Sequence, residues 1–425
     1  MQHRSLLPEY TLPLYTHLYD SIAVRFMEQK NQLLRSLSLV EISFYGIGTI
    51  LGAGIYVLLG KVVNESGMAT PSAFFISALI VSFSAYSYTQ MSRRFPSSAG
   101  EAIYIMEGLN SRHLSALAGY TISLGGIVSA ATIARGFTGY FAFFSALPSW
   151  AIIILLVTTL TALAAWGVKQ SVTIVVATTL LEIAGLLLVL VVGSDEISGR
   201  DIPWRQFLPS IDHSLVAVLS GAFLAFFAFI GFEDMINMAE EVKNPKRNLP
   251  LGIAIALIVS TLLYGAVAIV AILTLPLSEL ANSDAPLALI VERNSAIPVE
   301  FMAAISLIAI INGALIQIIM VSRILYGMAG KKLAPQILRS VHPRTRTPLK
   351  ATVLTGIIVV SFALWLPITT LAKTTSSLIL IVFSLVNLSL LVLNYREKNT
   401  GAMGKLIPAI GAFLCVSFLA FQVWS

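Results

Sequence analysis

Residues 46–60 read GIGTILGAGIYVLLG, five glycines in a run that is otherwise almost wholly apolar. Clustered glycines mark places where backbone comes close to something: a nucleotide phosphate, a neighbouring helix or a small substrate. A dinucleotide fingerprint needs G-x-G-x-x-G after a strand. Here the spacing is Gly46-x-Gly48-x-x-x-Gly52-x-Gly54, no strand pattern precedes it, and no Lys-Ser/Thr follows as a phosphate loop requires. Gly48 and Gly52 form G-x-x-x-G, which lets two helices pack closely. That leaves Gly46 and Gly54 without a reason, and each destabilises a helix by about 1 kcal/mol relative to alanine. A deliberate break accounts for both. At membrane depth a break is tolerated only where the freed N–H and C=O groups line a cavity or meet a ligand.

The composition sets the break in lipid. Of 425 residues, 57% are hydrophobic and 11% charged, against about 25% charged in a soluble domain. Windows of about 20 apolar residues predict eleven spans, near 41–62, 71–92, 112–144, 149–167, 171–193, 214–240, 250–274, 298–327, 350–367, 374–394 and 404–424. If the N-terminus is cytoplasmic, the outside loops hold only Lys61, Arg200, Arg205, Arg293 and Lys373, and Arg135 and Arg323 fall within spans. The rest of the 27 basic residues lie inside. This is the positive-inside bias, so the net charge of +6 needs no nucleic acid partner. The basic loop 330–350 is explained by anionic lipid. The expected location is a bacterial inner (plasma) membrane, multi-pass, with the N-terminus cytoplasmic and the C-terminus outside. Residues 1–38 lack a secretory signal; they form a cytoplasmic segment in which 15–36 reads either as an amphipathic surface helix or as a solvated leader. Residues 39–395 form the ten-helix core, and 396–425 a loop and the eleventh span.

Catalysis and metal binding lack candidates. The single cysteine, Cys415, permits no intrachain disulfide. The histidines His3, His17, His113, His213 and His342 sit at loops or span ends, with no metal-ligand spacing. No convergent nucleophile and base set points to an enzyme.

A transporter that uses one broken helix is expected to use a second at the matching place in its other half. The sixth span, GAFLAFFAFIGFEDMINMAEE (221–241), has Gly231 in mid-span followed by Glu233 and Asp234. Adjacent acids there cost several kcal/mol unless they face water or a partner. Two interrupted spans five helices apart predict an inverted repeat with the site at their crossing.

GTILGAGIYVLLG (48–60), EAIYIMEGL (101–109) and FFAFIGFEDMINMAEEVKNPKRNLP (226–250) resemble the amino acid–polyamine–organocation (APC) superfamily of permeases, over about residues 36–395. The resemblance implies an all-α polytopic fold, the five-plus-five inverted repeat called LeuT-like, with about eleven transmembrane helices and helices 1 and 6 discontinuous. It implies that Gly52, Ala53 and Gly54 bind an amino acid carboxylate through backbone N–H groups. The carbonyls near Ile50 and of Phe227 and Ile230 match those receiving the ammonium. Phe227 falls at a gating aromatic position, and Glu233 at an acidic position linked to substrate binding, gating and proton sensing. Phe226, Phe229 and Asn312 are expected to add to the lining. Many members have twelve helices, so the eleven here leave the oligomeric state open.

Glu182, in VVATTLLEIAGLLLVL, is the only charge in the fifth span. It lies where several proton-coupled members carry a lysine, near the sodium position of others. A buried carboxyl there either carries a coupling proton or pairs with Arg135 or Arg323; Arg323 can also snorkel to the interface. No cofactor is expected, and the proton is favoured over sodium as coupling ion. The resulting expectation is a proton-coupled secondary active transporter with a small-molecule amino acid substrate, because the triplet suits a carboxylate that a polyamine lacks. An amino acid or polyamine exchanger, a sensor and a channel on the same fold remain as alternatives.

Overall fold

The computed structural model describes residues 35–52, 54–96, 100–167, 172–197, 202, 204–209, 215–239, 241–345, 347–397 and 401–424. The helices are α1 (Leu39–Leu51), α2 (Gly54–Ser66), α3 (Thr70–Arg94), α4 (Gly100–Leu109), α5 (Arg112–Phe141), α6 (Ser149–Trp166), α7 (Val172–Ile197) and α8 (Leu215–Ala228). A 3₁₀ helix, Phe232–Met238, follows. Then come α9 (Pro245–Thr274), α10 (Leu277–Asn282), α11 (Pro286–Asn294), α12 (Val299–Gly330), α13 (Leu349–Trp365), α14 (Ile368–Arg396) and α15 (Ala402–Trp424).

Nine stretches of the described chain are long and apolar enough to cross a membrane; the first, Leu39–Arg94, contains α1 to α3. The shorter α13 is apolar as well. The five tryptophans, Trp150, Trp166, Trp204, Trp365 and Trp424, lie at or beyond helix ends and are 61 to 91% exposed. Tryptophan prefers that depth, where its ring meets hydrocarbon and its N–H meets water. With leucine and phenylalanine exposed along α3, α6 and α15, this is the surface of an integral membrane protein.

Helices five spans apart pack on one another. α2 lies against α8, α3 against α9, α5 against α12 and α6 against α13. These pairings are those of an inverted repeat. α5 is the central post, packed against both α12 and α14. α15 lies outside this core, on α14 and α3, and its Phe418 meets Phe223 of α8 at 5.1 Å between ring centres.

Local chemistry sets the helix ends. A capping box starts α1: the Ser38 N–H donates to Glu41 Oε2 at 2.7 Å and the Glu41 N–H to Ser38 Oγ at 3.4 Å. Just before it, the Leu37 N–H donates to the Glu241 carbonyl at 3.0 Å and the Lys243 N–H to the Leu37 carbonyl at 2.8 Å, tying the entry of α1 to the exit of the 3₁₀ helix. α9 begins at Pro245, after a left-handed Asn244, five residues before the expected span, because proline suits a first helical turn. The short α4, α10 and α11 had no counterpart among the expected spans; α4 buries Glu101, Tyr104, Ile105 and Gly108 on a wedge packed against α14. The surface helix read over 15–36 lies outside the described residues but for its last two.

The two intramembrane arginines find separate places. Arg135 bonds to backbone: its Nε donates to the Ala363 carbonyl at 2.7 Å and its Nη2 to the Leu364 carbonyl at 3.4 Å. These carbonyls belong to the last turn of α13, which has no intrahelical donors for them. Arg323 is exposed on α12.

The opening glycines serve close approach at several points. A side chain on Gly46 would meet the Met235 sulfur, one on Gly48 the Thr179 hydroxyl of α7, and one on Gly54 the Cα of Ala228. Overpacking of this kind costs about 1–3 kcal/mol. Gly48→Ala should therefore lower the melting temperature of the detergent-purified protein, and adding Thr179→Ala should recover part of the loss. No recovery would show that α1 and α7 are not in the contact described.

Candidate functional site

Two interrupted crossings meet near the middle of the bundle. α1 stops at Leu51, and the Gly52 N–H donates back to the Gly48 carbonyl at 3.0 Å. α2 starts at Gly54; Ala53 lies outside the described residues. Opposite, α8 stops at Ala228. The Phe229 N–H donates to the Phe226 carbonyl at 3.0 Å and the Ile230 N–H to the Phe227 carbonyl at 3.2 Å. Gly231 then takes φ 132°, a conformation only glycine adopts readily, and the chain continues as the 3₁₀ helix. A side chain on Gly231 would lie 2.6 Å from the Thr49 carbonyl, so the two crossings touch backbone to backbone here.

Three side chains bond to backbone groups at the interruptions. The Tyr264 hydroxyl, from α9, reaches the Ile50 carbonyl at 2.6 Å and the Ala228 carbonyl at 3.0 Å, one from each crossing. The Thr49 hydroxyl reaches the Gly231 carbonyl at 3.0 Å. The Gly231 N–H donates to Glu233 Oε2 at 2.9 Å. In a site where an unpaired polar group costs 1–3 kcal/mol or more, these bonds fix the geometry of both interruptions.

Between them lies a small cavity lined by Thr49, Ile50, Gly54, Ser129, Ile133, Phe227, Ile230, Asp234, Gly313, Ile316 and Gln317. It brings together four of the residues expected from the sequence, Ile50, Gly54, Phe227 and Ile230. Gly54 is the first residue of α2, whose opening N–H groups have no partners inside the helix. Gly52 is not in the lining, and its own N–H is engaged with Gly48. Nor do Phe226 and Phe229 line it, contrary to expectation: Phe226 packs on Phe383 with ring centres 5.9 Å apart and Phe229 on Tyr264 at 5.2 Å.

The sequence matches the family described as amino acid permease over residues 37–425. The chain belongs to the amino acid permease family. Among similar proteins is a cationic amino acid transporter of the vacuole of Arabidopsis thaliana, 29% identical over 88% of this chain and 66% of that one. A mitochondrial one from the same plant is 30% identical, with 63% of its length matched; the chain thus spans about two thirds of these plant relatives. Two Bacillus subtilis proteins match nearly end to end. A methylthioribose transporter is 28% identical over 93% of this chain and 92% of its own, and the branched-chain amino acid permease BcaP is 27% identical over 96% and 94%. Among solved structures, the substrate-bound outward-open state of a Na+-coupled sialic acid symporter aligns with a TM-score of 0.57 at 14% identity, covering 88% of each chain. At that identity the likeness is one of fold, and the fold is the LeuT-like one.

In this permease Glu182 lies apart from the cavity, on α7. Its backbone carbonyl accepts from the Tyr56 hydroxyl at 2.9 Å and its Oε1 from Asn312 Nδ2 at 3.5 Å. Its Oε2 is buried without a partner among the described residues. Its carboxylate partner is thus Asn312, and the pairing with Arg135 or Arg323 does not occur. Glu233 lines a second cavity, with Glu101, Asp234 and Asn237. Glu101, outside the spans on α4, accepts a bond from the Tyr88 hydroxyl at 3.4 Å, and burial pushes its carboxyl up from its ordinary 4.5 to about 7.

Tyr264, Ser129 and Gln317 escaped the sequence reading. Tyr264 and Gln317 had a usable signal, each a hydrogen-bonding side chain in a long apolar run. Ser129 sits among small residues of α5 and had none.

Two outcomes follow for the permease. Tyr264→Phe strands the Ile50 and Ala228 carbonyls and should destabilise the protein by about 1–3 kcal/mol, read as a lower midpoint in a thermal melt; an unchanged midpoint would show that the bridge is dispensable. The folded state holds the Glu101 proton up to about pH 7, whereas the unfolded chain releases it near 4.5. Stability relative to Glu101→Gln should therefore fall as pH rises from 4.5 to about 7 and level off beyond. A difference between the two melting curves that does not vary with pH would contradict this.

Proposed function

We propose that this permease is a secondary transporter that moves α-amino acids across the membrane by alternating access. The observation that carries the reading is the meeting of Ile50, Gly54, Phe227 and Ile230 around one cavity, where two crossings lose their helical hydrogen bonds. An α-amino acid has a carboxylate that suits the N–H groups opening α2 and an ammonium that suits carbonyls at the end of α8. Phe227, on the cavity wall, closes over the bound molecule. Among the relatives, two are named for cationic amino acids, one for branched-chain amino acids and one for methylthioribose; three of the four names fit this reading.

In this reading Glu182 is the proton carrier. Its unpartnered oxygen lies within 3.6 Å of where a side chain on Gly48 would begin, so its protonation bears directly on α1. The location that fits is a bacterial plasma membrane, with the N-terminus and the basic loops in the cytoplasm and the C-terminus outside.

Proteoliposomes should take up one or more labelled amino acids from a panel, saturably, and accumulate them under an inward proton gradient. Accumulation driven only by sodium would overturn the coupling, and no uptake of any amino acid would overturn the function. Glu182→Gln should lose accumulation while counterflow of labelled substrate persists; a variant that still accumulates would remove Glu182 from coupling.

A further inference from the structure

The first cavity ends against a second one. Ser129, Ile230, Asp234 and Gln317 line both, so they are the wall between the two. Beyond that wall the second cavity follows the 3₁₀ helix from Glu233 to Asn237 and the first half of α5 near Ile122. Asn237, unlike Asp234, is partly exposed. The chain then runs on to Lys243, Lys246 and Arg247, which the positive-inside bias assigns to the cytoplasm. The second cavity therefore lies between the first and the cytoplasmic end of the bundle.

Two residues of the wall come from opposite sides. Asp234 sits on the 3₁₀ helix, which packs on α1, α3 and α9. Gln317 sits on α12, which packs on α5. Gln317 Nε2 donates to Asp234 Oδ2 at 3.4 Å, so a hydrogen bond spans the wall. Its direction is set from behind. Gln317 Oε1 lies 3.1 Å from where a side chain on Gly126 of α5 would begin, and the glycine leaves room for the amide to turn its nitrogen toward Asp234. Both residues are buried, 3% and 9% exposed, and Asp234 Oδ1 has no partner among the described residues. A long bond between side chains is weak, so it parts before the main-chain bonds of either helix when the two elements separate.

We propose that Asp234 and Gln317 are the bar of an inner gate, and that the second cavity is the antechamber through which the substrate leaves the first cavity for the cytoplasm. The inference rests on the reading of the first cavity as the amino acid site. While the bond holds, the first cavity is shut off from the antechamber. When it parts, the unmet Oδ1 of Asp234 meets a polar group of the passing substrate, as acceptor or, when protonated, as donor.

The test uses inside-out membrane vesicles in which Cys415→Ser removes the one native thiol. A reporter is placed in the second cavity by Ile122→Cys or in the first by Ile133→Cys, and a membrane-impermeant methanethiosulfonate is added at the cytoplasmic face. The reporter at position 122 should react at least tenfold faster than the one at 133. Gln317→Ala should raise the rate at 133 at least tenfold and leave 122 unchanged. Asp234→Asn keeps an oxygen for Gln317 to bond and should leave 133 protected. Equal rates at the two positions, or no reaction at 122, with the wall intact overturn the inference whether or not the wall variants fold. Protection at 133 that survives Gln317→Ala overturns the role of the two residues. A failed labelling order in vesicles that still take up amino acids takes down the gate alone, and uptake of no amino acid takes down the site on which it rests.

Discussion

A helix interrupted inside a bilayer frees N–H and C=O groups that water cannot reach, each at a cost of several kcal/mol if left alone. The rest of this structure follows from that constraint. Tyr264 shares its one hydroxyl proton between the Ile50 and Ala228 carbonyls, Thr49 shares its own between the Gly231 and Gly46 carbonyls, and Glu233 accepts from the N–H of Gly231. The N–H groups at the start of α2 have no partners inside their helix, and a carbonyl at the end of α8 keeps a second lone pair; these are the groups a ligand can use. Stability and binding are therefore set by one list of backbone groups, divided between side chains and substrate.

The interruptions also explain why the backbones come so close. Side chains on Gly54 and Gly231 would collide with Ala228 and Thr49 of the opposite crossing, so only glycine lets the two unwound segments share one cavity. α5 and α12 close it with Ser129, Ile133, Gly313, Ile316 and Gln317. These two helices are themselves a repeat-related pair in contact. The symmetry of the fold and the position of the cavity thus have the same origin.

Much of this was legible in the sequence because glycine and charge are conspicuous in lipid. The run GIGTILGAGIYVLLG and the Gly231-Phe-Glu-Asp stretch marked both interruptions, and four cavity residues followed. Other parts were not legible. Whether a phenylalanine of 226–229 faces ligand or core depends on how α8 rotates against α14, which only packing fixes. The Gly52 N–H was read as a free donor, yet α1 winds one bond further and uses it. Arg135 was one of two arginines read as alternative partners for Glu182, but its guanidinium reaches the end of α13, more than two hundred residues away. The acid cluster joins α4 to the 3₁₀ helix, elements whose contact no local spacing announces.

The central claim is that the interrupted backbones of the first and sixth crossings form the amino acid site. A structure of the protein with a transported amino acid bound tests it most directly. The account predicts the carboxylate about 3 Å from N–H groups at the start of α2, and the ammonium against carbonyls of the α8 end, with Phe227 over the ligand. Density for the amino acid elsewhere in the bundle, with this cavity empty, would contradict it.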